Sequence, residues 1–246
     1  MKTLNQKRNE LVVKSNDLIR KSRYELSERE QKIIIYIISL IDINDTTLKR
    51  VNIRVKDFCD ICGITSQTKN RKDIYNTIQN LSDKSKWIKF ENEEVLFRWI
   101  DTVSIKRGII SVKLSESLSP YIIALKENFT KYELINVLAL HSKYSIRLYE
   151  IFKSYLWIGS FDISLDKLKE IINCNYYKLY KDFNKNVLKR TVKEINDYTD
   201  LLISYSTIKE GKKVIGLTFK VKEKEGFQMS IDMIMRRQER LDSNEK

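Results

Sequence analysis

Histidine, proline and cysteine are scarce in this sequence, whose 246 residues include one histidine, one proline and three cysteines. Enzymes that nick DNA commonly hold a divalent metal between two histidines separated by one residue, next to a tyrosine nucleophile. The single histidine, His141, cannot form such a pair. None of the 13 tyrosines is therefore expected to act as a nucleophile next to a bound metal. A nicking enzyme is therefore not expected.

The three cysteines are too few and too unevenly spaced for a disulfide framework. Cys59 and Cys62 form a C-x-x-C pair, which is half of a zinc site, but Cys174 and His141 do not supply a second pair. Cys59 and Cys62 also fall on the apolar stripe of a predicted helix, where free cysteine commonly packs as a small hydrophobic residue. We therefore expect reduced cysteines that hold no metal and no cofactor.

A phosphate-binding loop and a membrane-spanning run are also missing. The string nearest to G-x-x-x-x-G-K-[ST] is 210–213, in a predicted hairpin turn, so ATP-driven unwinding is not expected. The longest apolar run, 33–38, is far shorter than the roughly 20 residues of a membrane span, and the polar start MKTLNQKRNE has no signal-peptide hydrophobic region. The sequence thus predicts a non-enzymatic protein of the cytoplasm.

Positive charge, in contrast, is abundant. Lys and Arg number 46 against 33 Asp and Glu, which leaves a net charge of +13. An excess of this size suits a polyanionic partner, with nucleic acid as the first candidate and an anionic membrane as the second. Hydrophobic residues, at 42% of the chain, are numerous enough for a packed core.

Residues 161–196 have the pattern of two short helices joined by a turn, and the second helix is basic. In the first part, apolar residues recur at near-helical spacing around Ser164, a suitable N-cap, and the turn falls at 173–175. From Tyr180 onward, apolar residues occupy one face and lysines the other. An ordinary amphipathic helix with a solvated lysine face shows the same pattern. So does a helix in the DNA major groove, where cations pair with phosphates and residues near the N-terminal end reach base edges.

The first half of the chain has its elements in the order of a winged helix, which is helix, strand, two helices and a β-hairpin. Ser27 and Glu30 form a capping box in front of a helix that is apolar nearly all round. A tight basic turn, Lys106-Arg107-Gly108, joins the two hairpin strands. The predicted helices span 16–21, 31–41, 56–62 and 66–82, and the predicted strands span 51–55, 87–90, 95–105 and 109–114.

The second half repeats this order. Residues 51–58 match residues 161–168, and residues 74–81 match residues 188–195. The other predicted elements are a front helix at 143–157 and strands at 201–208 and 213–221 around the turn 210–212. The sequence therefore predicts an α+β fold of two tandem winged-helix domains related by internal duplication. Its domains are 1–120 and 121–226, joined between 118 and 129 near the only proline, Pro120, and followed by a polar tail at 227–246.

Basic and polar residues are predicted to face DNA in both domains. In the second domain they lie on or beside the basic helix and in the hairpin turn, or wing, that follows it. These residues are Lys178, Lys185, Lys189, Lys193, Lys212 and Lys213. In the first domain they lie near the start of the helix at 66–82 and in its wing. These residues are Lys69, Asn70, Arg71, Lys72, Lys106 and Arg107.

Residues 9–41, 129–155 and 180–196 carry a family likeness, of which the string SKYSIRLYE at 142–150 is the most specific part. They resemble the plasmid replication initiator family of the iteron-binding Rep type. In that family the C-terminal winged helix grips the major groove of direct repeats at the origin, and the N-terminal one adds contacts or forms a dimer interface. The family pattern often has proline or alanine where this chain has Arg190 and Thr191. The resemblance implies that the residues on or beside the second DNA-reading helix are Lys178, Lys181, Lys185, Asn186, Lys189 and Arg190.

The resemblance further implies an initiator that binds double-stranded DNA, promotes origin opening and recruits host replication proteins such as a helicase or its loader. Monomers initiate replication, whereas a homodimer in equilibrium with them binds an inverted repeat and represses the initiator's own promoter. We expect the dimer to use the apolar helix at 31–41 or the edge of the strand at 95–105, the alternative being full burial of that helix in its own domain. Fragment 121–226 is then a monomer that binds one repeat weakly, and the fragment ending near Pro120 dimerises.

Two other functions share these physical features. A transcriptional repressor with two winged helices and no role at an origin has the same charge and fold, so only the resemblance separates it from an initiator. An interaction module whose basic surface meets acidic protein or lipid is the third candidate, although the sequence offers no long amphipathic membrane helix. Direct repeats beside an AT-rich stretch next to the gene favour an initiator, and a lone palindrome favours a repressor.

Overall fold

The computed structural model describes residues 4–42, 44–62, 68–89 and 94–227, so the predicted tail lies outside the described residues from 228 onward. The elements of the first half are α1 (Leu4–Arg8), β1 (Leu11–Ser15), α2 (Asn16–Lys21), β2 (Ser22–Arg23), α3 (Glu28–Ser39), β3 (Val51–Arg54), α4 (Val55–Cys62), α5 (Thr68–Asp83), β4 (Ser85–Lys89), β5 (Glu94–Arg98), β6 (Ile100–Lys106), β7 (Ile109–Leu114) and, after a 3₁₀ turn at Glu116–Leu118, α6 (Ser119–Ile122). The elements of the second half are β8 (Phe129–Glu133), α7 (Leu134–Leu138), α8 (Lys143–Tyr155), β9 (Ser160–Ser164), α9 (Leu165–Ile171), α10 (Tyr180–Phe183), a π-helical turn (Asn184–Leu188), α11 (Lys189–Tyr198), β10 (Leu201–Glu210) and β11 (Lys213–Glu223).

The two halves of the chain fold into the same three-stranded sheet. One has the order β3-β7-β6 and the other β9-β11-β10, so in each the strand before the helix pair joins the last strand of the hairpin. The registers correspond, since Ile53 faces Ile110 and Ile163 faces Leu217. The predicted pair of tandem winged helices is confirmed, and the shared strand order supports their origin by duplication.

Local capping signals fix where the helices begin. Ser27 N donates to Glu30 Oε2 at 2.7 Å and Glu30 N donates to Ser27 Oγ at 3.3 Å, which completes the predicted capping box. Ser164 Oγ likewise accepts from Lys167 N at 3.3 Å at the start of α9. Each bond satisfies a backbone donor that the first helical turn leaves unpaired. The helix predicted at 31–41 therefore begins directly behind its cap, at Glu28.

The single strand predicted at 95–105 is wrong, because these residues form two strands in two different sheets. β5 pairs with β4 in the sheet β2-β4-β5, whereas β6 pairs with β7 in the winged-helix sheet. The break falls at Trp99, where Trp99 and Ile100 are both buried. Successive side chains of a regular strand point to opposite faces, and here both are enclosed at the point where the chain passes from one sheet to the other.

Helix α3 is buried on all sides within its own chain. Residues 33–38 are each at most 3% exposed, because β1, α5, α7 and α8 surround the helix. The expectation that α3 shares apolar surface with a second subunit is therefore wrong. The helix is fully buried, but by elements from both sides of the predicted domain boundary and not within its own predicted domain alone. Because α7 and α8 come from the second half of the chain, α3 lies where the two halves of the chain meet.

Strand β8 connects the two sides of the predicted joint at 118–129. It pairs with β1 in a two-stranded antiparallel sheet, with Val13 facing Lys131. Pro120 lies in the first turn of α6, where its missing N–H costs no helical hydrogen bond. The domain boundary near residue 120 stays a prediction, although a single sheet contains strands from both sides of it.

A buried polar cluster on α8 holds this two-stranded sheet in place. Glu150 Oε1 accepts from Lys14 Nζ at 2.6 Å and also from the Tyr132 hydroxyl, while Arg147 Nη2 donates to Ser22 O at 2.8 Å. Burial raises the pKa of Tyr132 well above its ordinary value, so its hydroxyl remains a donor. Arg147 and Glu150 belong to the SKYSIRLYE string. The most specific part of the resemblance therefore has a structural role, which is to attach α8 to β1, β2 and β8.

Candidate nucleic-acid interface

The segment from Tyr180 to Tyr198, here called the recognition helix, comprises α10, the π-helical turn and α11. Its apolar face packs on α8 and β10. The residues buried on this face, as their spacing predicts, are Phe183, Val187, Leu188, Val192 and Ile195. Because that face is fixed to the core, the opposite face is held toward solvent.

The exposed face of the recognition helix carries the residues that the sequence and the resemblance place there. They are Lys181, Lys185, Asn186, Lys189, Arg190 and Lys193. Lys193 Nζ lies 2.6 Å from Asp197 Oδ2, and this contact raises the pKa of Lys193. The other four cations of the set form no ion pair with a described residue, which leaves their charges available to phosphates.

The π-helical turn at Asn184–Leu188 interrupts the regular ladder of hydrogen bonds in the recognition helix. Lys189 N donates to Asn184 O in the i→i−5 pattern of a π-helix, and Asn184 Oδ1 accepts from the Tyr205 hydroxyl at 2.7 Å. Tyr205 is on β10, so the turn is attached to the strand that leads into the wing. A search for a period of about 3.6 residues does not reveal such a turn.

The segment between α9 and α10 is anchored at its base. Cys174 N donates to Lys169 O at 2.8 Å, and the buried Lys169 Nζ donates to Tyr177 O at 2.7 Å. Asn173, at the start of the segment, has a φ of 52°, the left-handed conformation that asparagine tolerates in turns. The entry to the recognition helix is thereby held in one conformation.

Two exposed apolar residues beside this entry were missed by the sequence interpretation. Tyr176 and Leu179 flank the exposed Lys178, which lies before α10 and not within it. The Tyr176 and Tyr144 hydroxyls are 2.6 Å apart, which ties Tyr176 to α8. The string NYYKLY places one lysine among three tyrosines and a leucine, and that cluster was the available signal. Apolar side chains at this position suit contact with thymine methyl groups.

The β10–β11 hairpin forms the predicted wing. Gly211 has a φ of 59° at its tip, and Lys212 and Lys213 are exposed beside it. Lys209 is also exposed here and was missed. At Gly216 a Cβ would lie 2.9 Å from a carbonyl oxygen of β9, so glycine allows the wing strand to approach its neighbour closely.

The first winged helix presents a smaller set of described side chains. Lys72 is exposed on α5, whereas Lys69, Asn70 and Arg71 belong to the backbone of α5 and their side chains lie outside the described part of the chain. The wing residues Lys106 and Arg107 are exposed. Arg107 and Gly108 have φ values of 50° and 75°, the paired positive values of a tight hairpin turn.

Within the described residues, no group of three or more His, Cys, Asp and Glu side chains is arranged to hold a metal. Cys59 and Cys174 are buried and form no disulfide, and burial raises the pKa of the Cys174 thiol to about 12. A thiol with so high a pKa stays protonated and is a poor nucleophile. No helix in the described ranges is long and apolar enough to cross a membrane.

Two consecutive family profiles match the chain. One, described as "Initiator Replication protein, WH1", matches residues 11–153, and the other, "Initiator Rep protein, WH2", matches residues 164–221. The chain belongs to the initiator replication protein family. Its members are replication initiators and not known enzymes, and the resemblance found in the sequence is confirmed.

Known relatives are similar in sequence or in fold. A "Replication initiation protein" of Escherichia coli is 28% identical over 229 residues, which cover 86% of this chain and 70% of the relative. The "PI protein" of Escherichia coli is 31% identical over 143 residues, which cover 50% of this chain and 47% of the relative. A crystal structure of the Pi initiator protein in complex with iteron DNA has a TM-score of 0.74 at 21% identity, over 89% of this chain and 99% of that one. This last similarity shows a shared tandem winged-helix fold.

Proposed function

We propose that this protein initiates plasmid replication by binding, as a sequence-specific double-stranded DNA-binding protein, to direct repeats at the origin. Bound copies open the neighbouring DNA and recruit host replication proteins, such as a helicase or its loader. The observation that carries the proposal is the recognition helix. Its apolar face is fixed to the core, and its exposed face holds four cations without ion-pair partners among the described residues.

The exposed face supplies two kinds of contact. Lys185 and Lys189 are point charges on flexible stems, which suits phosphates on either side of a groove. The Asn186 amide has one donor and one acceptor in the plane that matches an adenine edge, and the Arg190 guanidinium has the paired donors that match a guanine edge. We therefore assign phosphate binding to the two lysines and base reading to Asn186 and Arg190. The wing residue Lys212 is assigned to a phosphate of the adjoining DNA backbone.

The first winged helix has an auxiliary role in this proposal. Lys72 on α5 and the wing residues Lys106 and Arg107 are exposed cations that suit phosphate contacts. A second group of contacts on the same duplex raises affinity, because the two domains are connected and the second binding event is intramolecular.

Dimerisation through the first winged helix is the second part of the proposal. β5 and β6 are the outer strands of their sheets in the described chain, and they expose Leu96 at 50% and Ile105 at 47%. An unpaired strand edge with exposed apolar side chains is a ready surface for a second copy. A two-fold dimer matches the symmetry of an inverted repeat, so we assign repression of the protein's own promoter to the dimer.

A binding titration tests the DNA-reading assignment. Labelled duplexes carrying the direct repeats found next to the gene are titrated with the protein, and a shuffled duplex serves as the sequence control. We expect the double variant Lys185→Ala/Lys189→Ala to bind at least tenfold more weakly. Lys220→Ala, an exposed lysine on the same domain near the end of β11 away from the wing, is expected to bind like wild type. Equal affinity for repeat and shuffled duplexes contradicts the proposal.

A replication assay separates the initiator from the repressor. A plasmid whose only origin is the repeat region with its AT-rich stretch is introduced into cells that supply the protein. Maintenance of that plasmid, and its loss with the Lys185→Ala/Lys189→Ala variant, is the expected result. Repression of a reporter without plasmid maintenance supports the repressor.

A further inference from the structure

Trp157 is 96% exposed, more than any other large hydrophobic side chain in the described part of the chain, and the next residue, Ile158, is 54% exposed. Both lie in a turn directly after α8. Ile158 N and Gly159 N each donate to Tyr155 O at 3.0 Å, and Gly159 has a φ of 80°. The turn is therefore closed by hydrogen bonds and holds Trp157 and Ile158 toward solvent. The two residues fall in 154–163, between the stretches matched by the family profiles.

A groove of about 630 Å³ opens beside Trp157, between the end of α8 and β8, and is here called the Trp157 groove. Arg20, Lys131 and Lys153 line it, and no carboxylate of the described residues does. Lys153 Nζ lies 2.7 Å from Glu223 Oε1, so its charge is compensated. Arg20 and Lys131 form no ion pair with a described residue. The groove therefore attracts negative charge next to an apolar surface.

The strand that forms one wall of the groove has an unpaired edge. Asn16 N donates to Asn128 O at 2.7 Å and Leu134 N donates to Glu10 O at 3.0 Å. In an antiparallel ladder these bonds recur at every second residue, so the even-numbered residues of β8 direct their backbone groups at β1. The backbone groups of Phe129 and Lys131 point the opposite way, where β8 has no neighbouring strand among the described elements.

The Trp157 groove lies at the end of the second winged helix away from the wing. Ser160, which follows the exposed turn, pairs with Lys220, whereas the wing tip is next to the pair Glu210 and Lys213. From Lys213 to Lys220 the strand advances by roughly 23 Å at about 3.3 Å per residue. DNA bound at the wing tip is therefore remote from this surface.

We propose that the Trp157 groove binds an extended acidic peptide segment of a partner protein. An apolar side chain of the segment packs on Trp157 and Ile158, its carboxylates pair with Arg20 and Lys131, and its backbone adds to the free edge of β8. Single-stranded nucleic acid would stack on Trp157, but its bases and phosphates would not form a β-ladder with the free edge of β8 or require the aliphatic side chain of Ile158. The surface thus allows the protein to hold another protein while it is on DNA.

The test uses the full chain and a defined probe, a fluorescein-labelled synthetic peptide in which Glu alternates with Leu and Phe. Saturable binding by fluorescence anisotropy is expected, weakened about tenfold or more by Trp157→Ala, as for an aromatic anchor, and weakened also by Lys131→Gln. Trp87→Ala, an exposed tryptophan on β4, is the matched control and is expected to bind like wild type. A peptide with Lys in place of every Glu is expected not to bind.

Two parallel titrations separate this inference from the DNA-binding proposal. Affinity of the Trp157→Ala variant for the repeat duplex is expected to equal that of wild type, since the groove is remote from the wing. A labelled oligo-dT strand is the other probe. Loss of oligo-dT binding in Trp157→Ala without peptide binding overturns the proposal in favour of single-stranded DNA. Absence of saturable peptide binding, or peptide binding equal in wild type and Trp157→Ala, also overturns it.

Discussion

Lys14 Nζ lies 2.6 Å from Glu150 Oε1, and the two side chains are only 3% and 1% exposed. Burial lowers the pKa of Lys14 although the Glu150 carboxylate opposes the shift. A buried ion pair adds little net stability compared with apolar residues, but removing one partner leaves the other charge buried alone. The pair therefore determines the position in which β1 packs on α8, and it adds little net free energy of unfolding.

Glu150→Gln is expected to reduce the free energy of unfolding by about 3 kcal/mol, because it leaves the Lys14 ammonium buried without a carboxylate. Urea titration of both proteins measures the difference. The double variant Lys14→Met/Glu150→Gln is expected to lose less than the sum of the two single variants. Strict additivity of the single losses contradicts this account of the pair.

Glu30 makes stability depend on pH in the acidic range. Partial burial opposes its ionisation, but hydrogen bonds from Lys84 and Ser27 outweigh burial and lower the pKa of Glu30. A carboxylate with a lowered pKa stabilises the fold above its unfolded pKa, about 4.3, and this contribution disappears as the pH falls through the folded pKa. Glu30→Gln is expected to cost about 1 kcal/mol at pH 7, as the loss of a cap does, and progressively less below about pH 4.

Urea unfolding of Glu30→Gln at pH 7 and in the acidic range measures this effect. The exposed Glu225 provides the control, and Glu225→Gln is expected to change stability at neither pH. A cost of Glu30→Gln that is equal at both pH values shows that ionisation of Glu30 is not involved.

Affinity for the repeat duplex is expected to fall steeply with salt. Each phosphate contact contributes about 0.9 to the slope of log affinity against log salt concentration, so Lys185→Ala/Lys189→Ala lowers that slope by about 2. Lys193→Ala lowers it less, because Asp197 already pairs with Lys193. A slope near zero for the wild type excludes phosphate binding by this face.

The second winged helix is expected to be the principal DNA reader. Lys69→Ala/Arg71→Ala in the first domain is therefore expected to weaken repeat binding less than Lys185→Ala/Lys189→Ala in the second. Both variants are titrated on the same labelled duplex at one salt concentration. Equal losses, or a larger loss from the first domain, reverse the assignment.

Self-association is expected to depend on the outer strands of the first domain. Sedimentation of the full chain at increasing concentration is expected to show a monomer–dimer equilibrium that Leu96→Glu shifts to the monomer. Leu202→Glu is the matched control, since Leu202 is equally exposed, at 50%, on β10 of the second domain. A wild-type monomer at all concentrations removes the dimer from the proposed function and leaves DNA binding untouched.

Short-range signals in the sequence predicted much of the fold correctly. The Ser27–Glu30 capping box and the Ser164 cap involve neighbouring residues, so the sequence alone indicates where these helices begin. The wing turns at Gly108 and Gly211 were visible because glycine allows the positive φ that a tight hairpin requires. The buried and exposed faces of the recognition helix followed from its apolar spacing.

Features that depend on distant contacts were not predictable in this way. The strand break at Trp99 lies where two consecutive residues are buried between sheets, and the β1–β8 pair joins strands more than a hundred residues apart. Burial of α3 by its own chain depends on α8, which the sequence placed in a separate domain. Tyr176, Leu179 and Lys209 of the candidate interface became recognisable only when the surrounding segments had been located.

The π-helical turn determines the phase of the recognition helix. An α-helix turns by about 100° per residue, so an uninterrupted helix would leave Phe183 and Ile195 about 120° apart around its axis. Both side chains are fully buried, and they come to within about 20° of alignment when the turn accommodates one extra residue. Deletion of one residue within 184–188 would restore a regular α-helix without moving either side chain off the core. Gain or loss of a single residue here would therefore change which exposed side chains of the recognition helix face the same direction, while its buried face stays on the core.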